Sequence, residues 1–261
     1  MKRLLILAPI SLLVTIATPV FAAEKACDLT AEYKAFASAT QNPSYSQEDV
    51  QKELSARVSL LKSAISCARE DVIDLKDQIL AEENGPDSAG AIKERVVESL
   101  DEAIRFYDLK KDSLRDQGIQ GTKDSAREIK AWRDNNYDQL SGRVKNFILW
   151  SSNQPFFEKA SDRLSQSQFV VTSLRVLENE DSEKIYYDAK IKLETAKELN
   201  NKAGDAIARG ASSEETFSMI KDSLEALSAT YNNFFEISGK LNKTDDVDEL
   251  VPMIDSSPKD E

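Results

Sequence analysis

The residues that could do chemistry in this chain are few. Cys27 and Cys67 are its only thiols, and there is no His. The commonest general base, proton shuttle and imidazole metal ligand is therefore missing. A Cys-x-x-C spacing is absent, so a redox-active pair is not expected. The even count and the 40-residue separation suit a structural bridge, worth about 4 kcal/mol in the chain-entropy model. Straight helices joined near residues 41–45 would leave the two sulfurs offset by about 12 Å. The connecting segment must therefore run back along its neighbour. Two packed, unbridged thiols are the alternative.

Carboxylates are abundant, so chance pairs are expected. Glu98-Ser99 resembles the catalytic Glu-Ser of helical lytic transglycosylases, but the Gly-Leu-Met-Gln and Ala-Tyr-Asn-Ala-Gly elements of that family are missing. The resemblance therefore implies no activity, and Glu98 reads as a surface acid. Asp134 to Asp138 and Asp245 to Asp248 carry clustered oxygens without the loop glycine and closing Glu of a calcium loop. Phosphate loops and nucleophile elbows are absent. The expectation is a non-enzymatic chain with no cofactor and no metal.

The strongest local feature is aromatic. Phe147, Trp150, Phe156 and Phe157 flank Pro155. They read as an interface for a protein partner or a second copy. A ligand pocket around residues 147–157 is the alternative, and a helix end stapled into the core is the bland one.

The elements that position these residues follow from periodicity. Apolar residues at Val58, Leu61, Ile65, Ala68, Val72, Leu75 and Ile79 alternate spacings of three and four, the mark of a long amphipathic helix. Ser46 caps it, and Asn84-Gly85-Pro86 stops it near Glu83. Leu29 to Ala39 precedes it as a short helix. A helix from Asp87 or Ser88 buries Ile92, Val96, Leu100 and Tyr107. Gly118 and Gly121 separate it from one starting at Thr122. Pro155 either kinks that helix or starts another, which ends near Leu177. The seam through Tyr186, Ala189, Leu193, Ala196, Asn200, Ala203 and Ile207 ends at Gly210. Asn200, its one polar member, either fixes register or sits half-exposed on a loosely packed face; the second is the simpler expectation. Ser212 with Glu215 opens the last helix, to Leu241.

The fold expected is all-α: an elongated antiparallel helical bundle with coiled-coil character and about six to seven helices over residues 23–241. A subdivision is drawn near 118–121, and a disordered acidic tail over 242–261. Lys2 and Arg3, the charge-free stretch Leu4 to Val20 and Val20-Phe21-Ala22 read as a cleaved secretory signal, 1–22, with Ala23 as the new N-terminus. A retained anchor is the rival. After cleavage no membrane span is expected, and the location is extracytoplasmic. The formal net charge is −12, with 34 Lys and Arg against 46 Asp and Glu. Losing Lys2 and Arg3 takes it to −14, the wrong sign for a nucleic-acid binder.

Overall fold

The computed structural model describes residues 27–41, 46–82, 89–175 and 180–244, and these are all-helical. The helices are α1 (Thr30–Thr40), α2 (Gln47–Ala81), α3 (Ala89–Ser113), α4 (Ile119–Trp132), α5 (Asp138–Arg175), α6 (Glu180–Arg209) and α7 (Ser213–Thr244). A 3-10 turn, Leu114–Asp116, follows α3, and a π turn, Arg133–Tyr137, joins α4 to α5. The proposed leader and all but the first three residues of the acidic tail lie outside the described residues; α7 runs on through 242–244. Among the described residues, no helix is long and apolar enough to cross a membrane.

Local chemistry sets most helix ends. Ser46 takes an extended conformation, and its hydroxyl accepts from the Asp49 N–H at 3.2 Å, satisfying one orphan donor of α2. Ser212 does the same for Glu215 at 3.2 Å before α7. Gly210, at φ +70°, ends α6: its N–H donates to Ile207 O at 3.1 Å, and the Ala211 N–H donates to Ala206 O at 3.0 Å. This is a paired left-handed cap that a Cβ would strain. Arg143 on α5 adds a cationic cap, donating from Nε to Ile207 O at 2.8 Å and from Nη2 to Ala208 O at 3.3 Å. Burial, with Arg95 nearby, pulls the Arg143 pKa below its ordinary value.

One boundary differs from expectation. Helix α4 starts at Ile119 rather than Thr122, with Gly121 inside it. Gly118 is already the extended cap: its carbonyl accepts from the Thr122 N–H at 3.0 Å, and the buried Thr122 hydroxyl donates to Ile119 O at 2.8 Å. Of the two alternatives at Pro155, the single long helix is the one found: Pro155 lies inside α5, a helix of 38 residues.

Packing follows the seams. In α2, Ile65, Ala68, Val72, Leu75 and Ile79 are buried, against Ile92, Val96, Leu100, Ala103 and Tyr107 of α3. Lys76–Asp101 at 2.6 Å and Arg69–Asp108 at 2.8 Å lace these antiparallel helices on the partly exposed side. Each such pair contributes under about 1 kcal/mol, so the apolar seam carries the contact. The core falls into two clusters. The larger spans α2, α3 and the start of α5, and takes in Ala203 and Ile207 of α6 and Ile220 of α7. The smaller joins Phe157 and Ala160 of α5 to Ala189, Leu193 and Ala196 of α6 and Leu227 and Phe234 of α7. The change of cluster comes between Trp150 and Phe157, inside α5. Leu114 and Ile129, on either side of 118–121, share one cluster.

Candidate functional site

The four aromatics separate into two environments. Phe147, Trp150 and Phe157 are 1%, 3% and 5% exposed, whereas Phe156 is 46% exposed. Neighbours on a helix point about 100° apart, so Phe156 and Phe157 cannot both face the core. The three buried rings are taken up in packing, and Phe156 is the one available to an interface.

Trp150 is held on every side. Its indole N–H donates to Asn200 O at 2.9 Å. Gln154 Nε2 donates to Trp150 O at 2.6 Å, and Asn200 Nδ2 donates to Gln154 Oε1 at 3.0 Å. Asn200 is therefore buried with its amide satisfied, not half-exposed, and it fixes the register of α6 on α5. The ring lies on Gly204, where a built Cβ would come within 2.8 Å of Trp150 Cζ2, so only glycine allows this approach.

Phe156 belongs to an apolar face along α5 and α7. The Tyr231 hydroxyl donates to Phe156 O at 3.3 Å, and Arg163 stacks over the Tyr231 ring at 5.3 Å. Phe217, Leu224 and Tyr231 recur every seven residues on α7, with Phe235 one turn further. Phe217 and Phe235 are 51% and 55% exposed. A hollow of about 320 Å³ opens between Leu149, Phe217, Ile220 and Leu224.

The cysteines define a second region. Cys27 and Cys67 form a disulfide with Cα atoms 5.9 Å apart, a usual spacing for a bridge. The Ser63 hydroxyl donates to Glu32 Oε1 at 3.2 Å, and Arg57 stacks over Phe36 at 4.8 Å. These three pairs keep one antiparallel register of α1 on α2. Helices α1 and α2 are therefore antiparallel; residues 42–45 of the connecting segment expected to take up the offset lie outside the described residues. Helix α1 has no buried residue of its own.

Between α1, α2 and α4 runs a groove of about 740 Å³. Phe36, Leu60, Leu61, Ala64 and Ile129 make its floor. Among the described residues, Arg57, Lys123, Arg127, Lys130 and Arg133 line it, with Asp71 as the one carboxylate. At its end Arg133 donates to Asp71 at 2.9 Å and lies 4.1 Å from the centre of the Tyr137 ring. Burial opposes the charge on Arg133, but the bond and charge of Asp71 outweigh it and raise the pKa. Burial raises the Tyr107 pKa beside it, opposed by Arg133. The π turn makes this corner, since i→i+5 bonding brings residues five apart toward one side of the helix. It lets Trp132 stack on Phe106 at 4.4 Å while Tyr137 is buried.

Among the described residues, no three acids or cysteines converge as a metal site. Glu98 is an exposed residue of α3. No protein-family model, curated protein or solved structure matches this chain.

Proposed function

We propose that this is an exported, non-catalytic helical bundle with coiled-coil character that works by protein–protein contact, and that it self-associates through the face built from α5 and α7. The observation that carries the reading is the apolar row Phe156, Phe217, Leu224, Tyr231 and Phe235, in which Phe156, Phe217 and Phe235 are about half exposed. Four of its members follow a seven-residue rhythm extended by one turn, as in a helix seam waiting for another helix. Lys2, Arg3, the charge-free stretch to Val20 and the Val20-Phe21-Ala22 site support export and a location outside the cytoplasm. N-terminal sequencing of the extracytoplasmic protein is expected to begin at Ala23, and finding Met1 would contradict it.

Self-association is tested by sedimentation in about 0.5 M salt, where contacts between exposed charges are screened and apolar ones persist. Phe156→Ala with Phe217→Ala removes two exposed rings, each contributing about 1.5–3 kcal/mol when covered. Association is expected to weaken by about 100-fold or more. Thermal melting should stay close to wild type, because surface substitutions typically move stability by under about 0.5 kcal/mol. A compact monomer at high concentration, or strong destabilisation by both substitutions, would reject this face as an interface.

A further inference from the structure

The groove between α1, α2 and α4 is an anomaly of charge. The chain carries −12, yet among the described residues five cations and a single carboxylate line this groove over an apolar floor. Lys123 and Arg127 are exposed on its rim. Arg57, Arg127, Lys130 and Arg133 each have a carboxylate within reach, at Glu53, Asp124, Asp134 and Asp71. The Arg127 and Lys130 pairs are exposed, and such pairs hold each other weakly and can be rearranged by a competing anion. An occupant that suits this lining carries both apolar and acidic side chains.

One segment of this chain has that composition. Between residues 245 and 255, the acids Asp245, Asp246, Asp248, Glu249 and Asp255 are interspersed with the apolar Val247, Leu250, Val251, Met253 and Ile254. From Val247 to Ile254 an extended chain spans about 23 Å. The groove follows α2 from Arg57 to Asp71, about 21 Å of helix. We propose that this groove binds the segment 245–255 of a second copy of the chain, apolar side chains on the floor and carboxylates against Lys123, Arg127 and Lys130.

Geometry excludes the segment of the same copy. The start of α7 packs near the start of α5, where Asn146 donates to Ser213 O at 2.8 Å. Its far end lies near the start of α6, where Lys240 pairs with Asp181 at 3.5 Å. The 32 residues of α7 carry the chain about 47 Å from the α4–α5 corner. The first seated residue, Val247, is only three steps along the chain from Thr244, a reach of about 10 Å. The contact is therefore head-to-tail and uses different surfaces on the two copies.

The test is fluorescence anisotropy of a labelled peptide, residues 245–261, titrated with the full chain. Saturable binding that weakens with salt is expected. Lys123→Glu with Arg127→Glu should weaken it by about tenfold or more, as should Leu250→Ser with Ile254→Ser in the peptide. Both protein substitutions are at exposed positions, and the peptide variants leave the protein untouched. Absence of saturable binding, or an unchanged Kd with either pair of substitutions, would overturn the proposal. Displacement of the peptide by an equal concentration of dodecanoate would also overturn it, assigning the groove to a small anionic amphiphile. The readout does not involve the α5–α7 face, so its failure is distinct from failure of the self-association reading.

Discussion

Trp150→Ala is expected to lower the free energy of unfolding by about 4 kcal/mol, the middle of the range for truncating a buried tryptophan. For a chain of this size that is a fall in melting temperature of about 10 °C. Three losses add. The ring leaves a cavity between α5 and α6. The Asn200 carbonyl loses its 2.9 Å donor. Gly204 loses the surface that its bare backbone was shaped to meet. The last of these gives a sign test. Gly204→Ala should normally help a mid-helix position by about 1 kcal/mol. Here the new Cβ would sit 2.8 Å from Trp150 Cζ2, so the substitution should cost about 1–3 kcal/mol instead. In the Trp150→Ala background the same change should become neutral or stabilising. Chemical denaturation of the four proteins measures this coupling. A Trp150→Ala cost below about 1 kcal/mol, or additive effects, would show that the two residues do not share one packed contact.

The second large effect is reduction of the Cys27–Cys67 bridge. Helix α1 has no buried residue, so little besides the bridge, Glu32 and Phe36 holds it to α2. The bridge contributes about 4 kcal/mol to closing this loop. Amide exchange across Thr30–Thr40 is therefore expected to speed up by about three orders of magnitude in the Cys27→Ser, Cys67→Ser protein. Exchange in the middle of α3, whose seam faces α2, should change little. Because α1 is one wall of the basic groove, peptide binding should weaken with it. Two free thiols in the unfolded, unreduced protein, or equal α1 exchange with and without the bridge, would refute this.

What the sequence made legible was local. Ser46, Gly210 and Ser212 act on groups within five residues of themselves, and each does what its type and position suggest. The buried positions of α2 were also readable, because one face of a helix repeats at a fixed interval. Misjudged features depend on residues far apart in the chain. Asn200 looks like a flaw in an apolar seam until Gln154, 46 positions earlier, supplies its amide partner. The burial of Phe157 could have been read, since it lies seven residues after Trp150 and three before Ala160, whereas Phe156 falls off that rhythm. The π turn has no sequence marker among Arg133 to Tyr137; it forms where Asp71 and Phe106, on two other helices, engage the corner. The groove was invisible for the same reason, as α1 and α4 reach one side of α2 from 60 or more residues apart.

Helix α5 also bears on how the chain can fold as it is made. The larger cluster joins residues from Ile65 onward to Ala203, Ile207 and Ile220, so its last members are synthesised some 150 residues after its first. A chain growing from its N-terminus can pair α2 with α3 early, by local contacts. It cannot cover Val144, Phe147 and Trp150 until α6 and α7 emerge. A nascent chain ending before residue 200 therefore presents a greasy stripe with no covering helix, the kind of surface that holding chaperones grip. Completion of the first half waits on the second, and α5 is the strut on which that delayed closure takes place.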